Sequence, residues 1–293
     1  MHTHQVAIPA WRWLNQPAAK AAVEPLLRRI ATERIVLMSS GGADWVGGAG
    51  KAEKVDGGYR ISARKTFASG APLGAILMTG AVADEPEGPM VLHFGAPLTA
   101  PGVQVNEVWD AMGMRGTGSQ DVLFDGLFIP DDKIALKRKA GEWHPLFQII
   151  GTIAIPLIYA VYLGLAEAAR DKALALELAR PESRRSPRLV GEMETRLYAA
   201  RLAHADMVVT ISGGASAQSI GRVMQDRALV VEAALQTANL AMEVAGGEGF
   251  LRKSGLERTF RDIQGARYHP MRSDKATLYA GTLALGGDVS HIY

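Results

Sequence analysis

The sequence contains no cysteine. That excludes disulfides, thiolate metal sites and a cysteine nucleophile, and it fits a reducing compartment. No run of one charge is present either. The 32 lysines and arginines are interspersed with 30 acidic residues, so the net charge of +2 leaves no electrostatic footprint for nucleic acid. The first nine residues lack a basic flank leading into a continuous apolar core, so they do not read as a signal peptide, and a cytoplasmic location is expected. Seven histidines show no ligand-like spacing apart from His2 and His4, which lie in a terminus expected to be mobile. No metal is expected.

What is present divides near Gly141. Before it, short runs rich in Val, Ile and Phe alternate with Gly, Pro and Asp; after it, long stretches follow a helical period with few breakers. The spacing predicts strands over residues 35–38, 51–55, 59–66, 75–82, 90–94, 103–109 and 121–129, with Asp56-Gly57-Gly58 as a hairpin turn. It predicts helices over residues 145–179, 187–211, 219–244 and 274–285, plus an opening helix over 17–32 that has no earlier partner. The fold class is therefore α+β: an all-β domain of barrel or sandwich type followed by an antiparallel four-helix bundle, without the alternating βαβ units of a Rossmann site. Residues 146–166 carry no charge over about the ~20 residues that span a bilayer. Gln148, Gly151, Pro156 and Gly164 interrupt the run and an amphipathic stretch comes after it, which reads as a buried core helix and not a membrane span.

Four segments in order carry a resemblance. They are Ser39-Ser40-Gly41-Gly42-Ala43-Asp44; residues 58–70, ending Lys65-Thr66-Phe67-Ala68-Ser69-Gly70; Gly113-Met114-Arg115-Gly116-Thr117-Gly118-Ser119 with residues 124–130; and Gly246-Gly247-Glu248-Gly249-Phe250 with Arg261-Asp262. Taken together, the chain resembles the FAD-dependent acyl-CoA dehydrogenase superfamily over nearly its whole length. The resemblance implies a remnant of the N-terminal helical domain in residues 1–33, a middle β domain in 34–140 and a helical bundle in 141–293. It implies FAD as cofactor, assembly as a homodimer or homotetramer, and a flavin reductase or electron-transfer partner.

The resemblance also implies roles for individual residues. Ser39, Ser40 and Gly42 match the family loop that contacts the flavin pyrimidine and pyrophosphate, although Ala43 stands where the family has serine. Small hydroxyl residues and glycines let backbone amides approach such groups closely. Phe67 stands where the family has a tryptophan along the isoalloxazine, and Ser69 where it has a threonine near flavin N5. Arg115 ties its turn to neighbouring carbonyls, and Thr117 faces the substrate. Gly246 and Gly247, with Glu243, receive the adenine end of FAD from a neighbouring subunit.

The resemblance fails at the base. The acyl-CoA dehydrogenases take the α proton with a glutamate, yet residues 265–272 and 153–155 contain no carboxylate. One expectation is that His269 replaces that base and the enzyme oxidises a CH–CH bond of an acyl-CoA-like substrate. A second is that the Ala-Arg-x-His-Pro sequence at 266–270 belongs with the flavin monooxygenase branch, fed with reduced flavin by a reductase. A third is a degenerate, non-catalytic subunit.

Overall fold

A computed structural model describes residues 2–292, apart from the side chains of Ala43 and Arg184. The chain divides into two compact units: residues 1–110, 116–150 and 289–293, and residues 111–115 with 151–288.

The first unit is built on one eight-stranded sheet. Its strands are β1 (Leu37–Ser39), β2 (Lys51–Val55), β3 (Gly58–Ala68), β4 (Ile76–Glu85), β5 (Gly88–Pro97), β6 (Val103–Asn106), β7 (Gln120–Pro130) and β8 (Leu136–Lys139), in the order β6-β7-β3-β2-β4-β5-β8, with β1 also on β4. The β2–β3 hairpin forms at Asp56–Gly57, where Gly57 takes φ +72° as its lack of a Cβ allows. Alternation along the strands buries Tyr59, Ile61, Leu77, Leu92, Phe94 and Val122 in one core.

Two features of the sheet shape the glycine-rich loop and the end of β3. β1 and β2 both run parallel to β4, one after the other: Ser39 is in register with Met78, and Lys51 with Val82. The intervening residues 40–50, rich in glycine, therefore loop out over only a short stretch of β4. In addition, β3 loses register with β7 between Lys65 and Ala68. Such an irregularity re-aims a side chain, and Phe67 sits in it at φ +57° with 58% of its surface exposed.

At the N-terminus the expectation of a mobile segment is corrected. Residues His2–Asn15 form helix α1, which packs on α2 (Lys20–Glu33), and Trp13 Nε1 donates to Glu24 at 3.3 Å. The opening helix thus has a partner. His2 Nδ1 accepts from the Leu37 amide at 3.0 Å and His4 is buried beside Ser39, so both histidines fasten α1 to β1. Polar spacing hid this helix from the sequence, as it hid β8, whose Leu-Lys-Arg-Lys run reads as solvated although Arg138 within it is buried.

The second unit contains α3 (Pro145–Leu178) from Gly151 onward, α4 (Pro187–Ser212), α5 (Ala217–Ala245), and the shorter α6 (Gly247–Phe250), α7 (Leu256–Ile263) and α8 (Ser273–Ala284). Helices α3, α4, α5 and α8 lie where the period predicts; α7 was missed because charged residues dominate it. By length and composition α3 and α5 could cross a membrane, but only about half of the most apolar window of each is buried, at 50% and 56%. α5 starts with a capping box in which Ser216 and Ser219 satisfy each other's backbone amides.

On α5, Asp226 is buried against Asp206 of α4, which in turn is paired with Arg222. Burial raises the Asp226 carboxyl to about 7, and the hydrogen bond and charge of Asp206 add to this. A raised folded-state value means the native state holds the proton more tightly than the unfolded chain. The contribution is full below about pH 3.8 and is lost as pH rises through about 7, a swing on the order of a few kcal/mol. Asp226→Asn keeps a neutral hydrogen-bonding group. Thermal melts from pH 5 to pH 8 should fall in the wild type and fall clearly less in the variant; parallel curves would contradict the shared proton.

Candidate active site

On the β unit the candidate residues converge at the ends of β1 and β3. The Gly41 amide donates to the Thr66 carbonyl at 3.0 Å, which ties the glycine loop to β3 just before Phe67. A Cβ at Gly41 would stand 3.3 Å from the Phe67 side chain, so glycine there lets the ring lie against the loop backbone. Trp109 meets the same ring edge-on, with centroids 6.1 Å apart. The result is an exposed aromatic with a fixed back and one free face.

Beside it runs a chain of hydroxyls. Ser69 Oγ and Ser119 Oγ are 2.7 Å apart, and Ser119 Oγ is 2.7 Å from Thr117 Oγ1. The Gly70 amide donates to the Thr117 carbonyl at 2.8 Å and closes the two segments on each other. Ser119, buried in the middle, was not singled out from the sequence; its place two residues after Thr117 was the available signal. Ser39 lies at the edge of this region with His4 3.4 Å from its hydroxyl, and Gly42 is in the half-buried turn beyond it.

Ser40 differs from its neighbours. Its hydroxyl is committed inward, to Asp44 and, at 3.0 Å, to Thr79 Oγ1. Thr79 donates to Asp44 at 2.8 Å, and Lys65 Nζ reaches Asp44 at 2.7 Å, the Ala49 carbonyl at 2.6 Å and the Gly80 carbonyl at 2.5 Å. Burial pulls the Lys65 ammonium below its usual range against the raising effect of Asp44. From β8, Arg138 donates to Val46 O at 2.7 Å, to the carbonyls of Asp44 and Trp45, and to His93 Nε2 at 3.0 Å. Burial, with the Arg138 charge adding, lowers His93 to about 4, which leaves its ring neutral and able to accept that bond. Two buried cations thus hold the glycine loop from beneath.

On the helical unit, His269 lies beyond the end of α7. Its Nδ1 is 2.7 Å from the hydroxyl of Tyr162 on α3, and the rings meet edge-on at 5.7 Å. Burial, with the Arg227 guanidinium adding, lowers His269 to about 4, so the imidazole is neutral. The Met114 amide donates to Asp262 at 2.6 Å, Arg261 donates to Met112 O at 2.9 Å, and Arg115 Nε donates to Ala111 O at 2.8 Å. Arg115 therefore ties its turn to a carbonyl, as expected. Gly113 fits here only without a Cβ, which would lie 2.2 Å from the Arg261 carbonyl.

Gly246 ends α5 at φ +60°; it, Gly247 and Glu243 are exposed, with nothing within 4 Å of a Cβ on Gly247. The arginines nearby are engaged within the protein. Arg180 donates to Val244 O at 2.7 Å, to Ala245 O and to Glu177; Arg185 donates to the carbonyls of Arg180 at 3.3 Å and Leu178 at 3.0 Å. Among the described residues no group of three His, Asp or Glu side chains could hold a metal ion.

The sheet unit thus presents an exposed aromatic beside a hydroxyl chain, and the helical unit holds a half-buried neutral histidine. Residues 157–273 match the family model described as acyl-CoA dehydrogenase, C-terminal domain. The chain resembles the acyl-CoA dehydrogenase superfamily, and the matched residues all lie in the helical unit. It is 29% identical to amino sugar nitrososynthase DnmZ of Streptomyces peucetius, over 94% of this chain and 71% of that protein. It is likewise 29% identical to L-evernosamine nitrososynthase of a Micromonospora species, over 81% of this chain and 60% of the relative. The solved structure of KijD3 in complex with FMN and dTDP-3-amino-2,3,6-trideoxy-4-keto-3-methyl-D-glucose superimposes with a TM-score of 0.83 at 26% identity, covering 96% of this chain and 73% of that one.

Proposed function

We propose that the chain is a monooxygenase-type oxidoreductase that receives reduced flavin from a separate reductase and uses dioxygen to oxidise a small molecule. One observation carries this over acyl-CoA oxidation. Where dehydrogenase members have a glutamate base, this chain has His269, neutral and hydrogen-bonded to Tyr162. An imidazole with a value near 4 is a poor acceptor for an α proton. The nitrososynthase relatives make an amine-bearing sugar the first substrate class to try.

The residues fit a flavin. Phe67 offers the exposed face against which an isoalloxazine stacks. Ser69, at the end of the Ser119–Thr117 hydroxyl chain, is the candidate partner for the ring's N5 edge, and Thr117 the candidate toward substrate. Ser39 and the backbone at Gly42 are candidates for the pyrimidine edge. Ser40 is assigned instead to holding the loop, through Asp44 and Thr79. When bound, reduced flavin supplies two electrons to dioxygen, with one oxygen atom passing to substrate and the other leaving as water.

Glu243, Gly246 and Gly247 are the candidates for the adenine end of FAD from a second copy, in a dimer or dimer of dimers. Exposed apolar side chains on α3 and α4, among them Val161, Tyr198, Leu202 and Val209, support such an assembly. Arg180 and Arg185, however, are already engaged with carbonyls. A free arginine on a phosphate contributes on the order of 1.5–3 kcal/mol, and none is offered by this pair. FAD and FMN are accordingly expected to bind within about tenfold of each other, measured by fluorescence quenching of each flavin; a preference for FAD well beyond this would show that an arginine lets go of its carbonyls.

The test of function is oxygen consumption by the full chain with enzymatically reduced flavin and a panel of nucleotide-linked amino sugars, set beside anaerobic titration of the flavin-loaded protein with acyl-CoAs. Substrate-dependent product with no bleaching supports the monooxygenase. Bleaching by an acyl-CoA would establish the dehydrogenase, and failure to retain any flavin would leave a non-catalytic subunit.

A further inference from the structure

The imidazole of His269 has a defined neighbour at one nitrogen, and the segment carrying it is unusually well pinned. Tyr159, one turn before Tyr162 on α3, directs its hydroxyl at the carbonyls of Ala266 and His269, at 3.5 and 3.4 Å. Arg227 of α5 donates to the same two carbonyls at 3.2 and 3.0 Å and to the Ser273 hydroxyl. The guanidinium also lies 5.1 Å from the centre of the Tyr159 ring. Gly265 completes the arrangement, because a Cβ there would stand 3.1 Å from the Tyr162 hydroxyl. Backbone position is thus fixed by Tyr159 and Arg227, which leaves Tyr162 to act on the ring alone.

A neutral imidazole carries one proton, and so does the Tyr162 phenol. If Tyr162 donates to Nδ1, the buried phenol proton is used within the pair, and the imidazole N–H falls on Nε2 of a side chain that is only half-buried and can meet solvent or ligand there. If Nδ1–H donates to Tyr162, the phenol proton needs another acceptor, and no further hydrogen bond of Tyr162 occurs among the described residues. Tyr162 is only 2% exposed, so water does not readily take that role. A buried donor left without a partner is costly, and the first arrangement wins.

We propose that Tyr162 is a positioning residue that locks His269 in the Nε2–H tautomer, so that the histidine presents a hydrogen-bond donor, and not a base, to the reacting centre. The last clause rests on the monooxygenase reading of the site; the tautomer lock stands on the geometry of the helical unit. The preference over the Nδ1–H form is expected to be about tenfold or more. A fixed donor is what stabilises negative charge developing on oxygen, since it needs no reorganisation when the charge appears.

The test is a long-range proton–nitrogen correlation spectrum of the full chain labelled with 15N-histidine at pH 7, with the His269 signals identified by their loss in His269→Gln. The expected result is a pyrrole-type Nε2 and a pyridine-type Nδ1 for His269 in the wild type, and a shift toward the averaged pattern of mixed tautomers in Tyr162→Phe. A pyrrole-type Nδ1 in the wild type would overturn the lock, as would a Tyr162→Phe spectrum identical to the wild type. If Tyr162→Phe does not fold, the wild-type pattern decides by itself. A locked tautomer in a protein that oxidises nothing with reduced flavin sinks the functional reading and leaves the lock intact, so the two fail separately.

Discussion

Replacing His269 by alanine is expected to lower oxygen transfer to substrate by about 10²–10³-fold, while flavin retention stays at the wild-type level. The separation has a structural basis. The exposed aromatic and hydroxyls proposed to hold the flavin belong to the β unit, whereas His269 hangs from a segment whose backbone Tyr159 and Arg227 hold without help from the imidazole. Removing the ring therefore takes away one donor and little structure. His269→Gln supplies the discriminating comparison, because its amide can still donate but cannot act as a base of comparable strength. If the histidine works as a donor, glutamine should recover roughly tenfold of the loss, about what one hydrogen bond to a charged group contributes. If it works as a base, alanine and glutamine should be equally inactive. Measurements are product formed per reduced flavin consumed and, separately, flavin affinity. A large fall in flavin affinity in either variant would assign His269 to binding.

How much of this could be read from the sequence depends on which physical signal each residue leaves there. Hydrophobic period marked α3, α4, α5 and α8 closely, since burial of a stripe against neighbours is what the period encodes. It also marked most strands, as alternation along β4 and β5 comes directly from one buried face. The elements it missed, α1, α7 and β8, are held by polar contacts: His2 to the Leu37 amide, Arg261 to Met112, Arg138 to a row of carbonyls. A polar residue that is buried and one that is solvated look alike in a sequence. The same ambiguity governs the site. Phe67 and Ser69 stand out as candidates by motif, but that Phe67 is turned outward depends on a register break between two strands distant in sequence. Ser40 and Ser39 are adjacent and chemically identical, and only the presence of Asp44 and Thr79 on one side assigns the first to the interior. Tyr162 had no signal at all, being one more aromatic on an apolar helix.

The second large effect is expected at Asp44. Asp44→Ala should destabilise the protein by about 3–5 kcal/mol, read as a lower urea midpoint with an unchanged slope. Lys65 is 1% exposed at its side chain and Asp44 10%, and the ammonium has three donors directed at three acceptors: the carboxylate and the carbonyls of Ala49 and Gly80. Removing the carboxylate leaves a buried cation with two neutral acceptors and strips Ser40 and Thr79 of theirs. Lys65→Met should be similarly damaging, because it leaves a buried carboxylate behind. The double variant is the informative one. With both charges gone no ion is stranded, and stability should return to within about 1–2 kcal/mol of wild type, since replacing a buried pair by apolar groups is often close to neutral. Flavin affinity should not return with it. Residues 40–50 leave β4 after Ser39 and rejoin it at Lys51, and between those points Lys65 and Arg138 hold the chain to the sheet alongside the Gly41–Thr66 and Ser40–Thr79 bonds. A double variant that folds but binds flavin at least tenfold more weakly would show the ion pair to be a device for shaping the loop. One that recovers both would reduce it to packing, and the glycine loop would then owe its form to Arg138 and its own backbone.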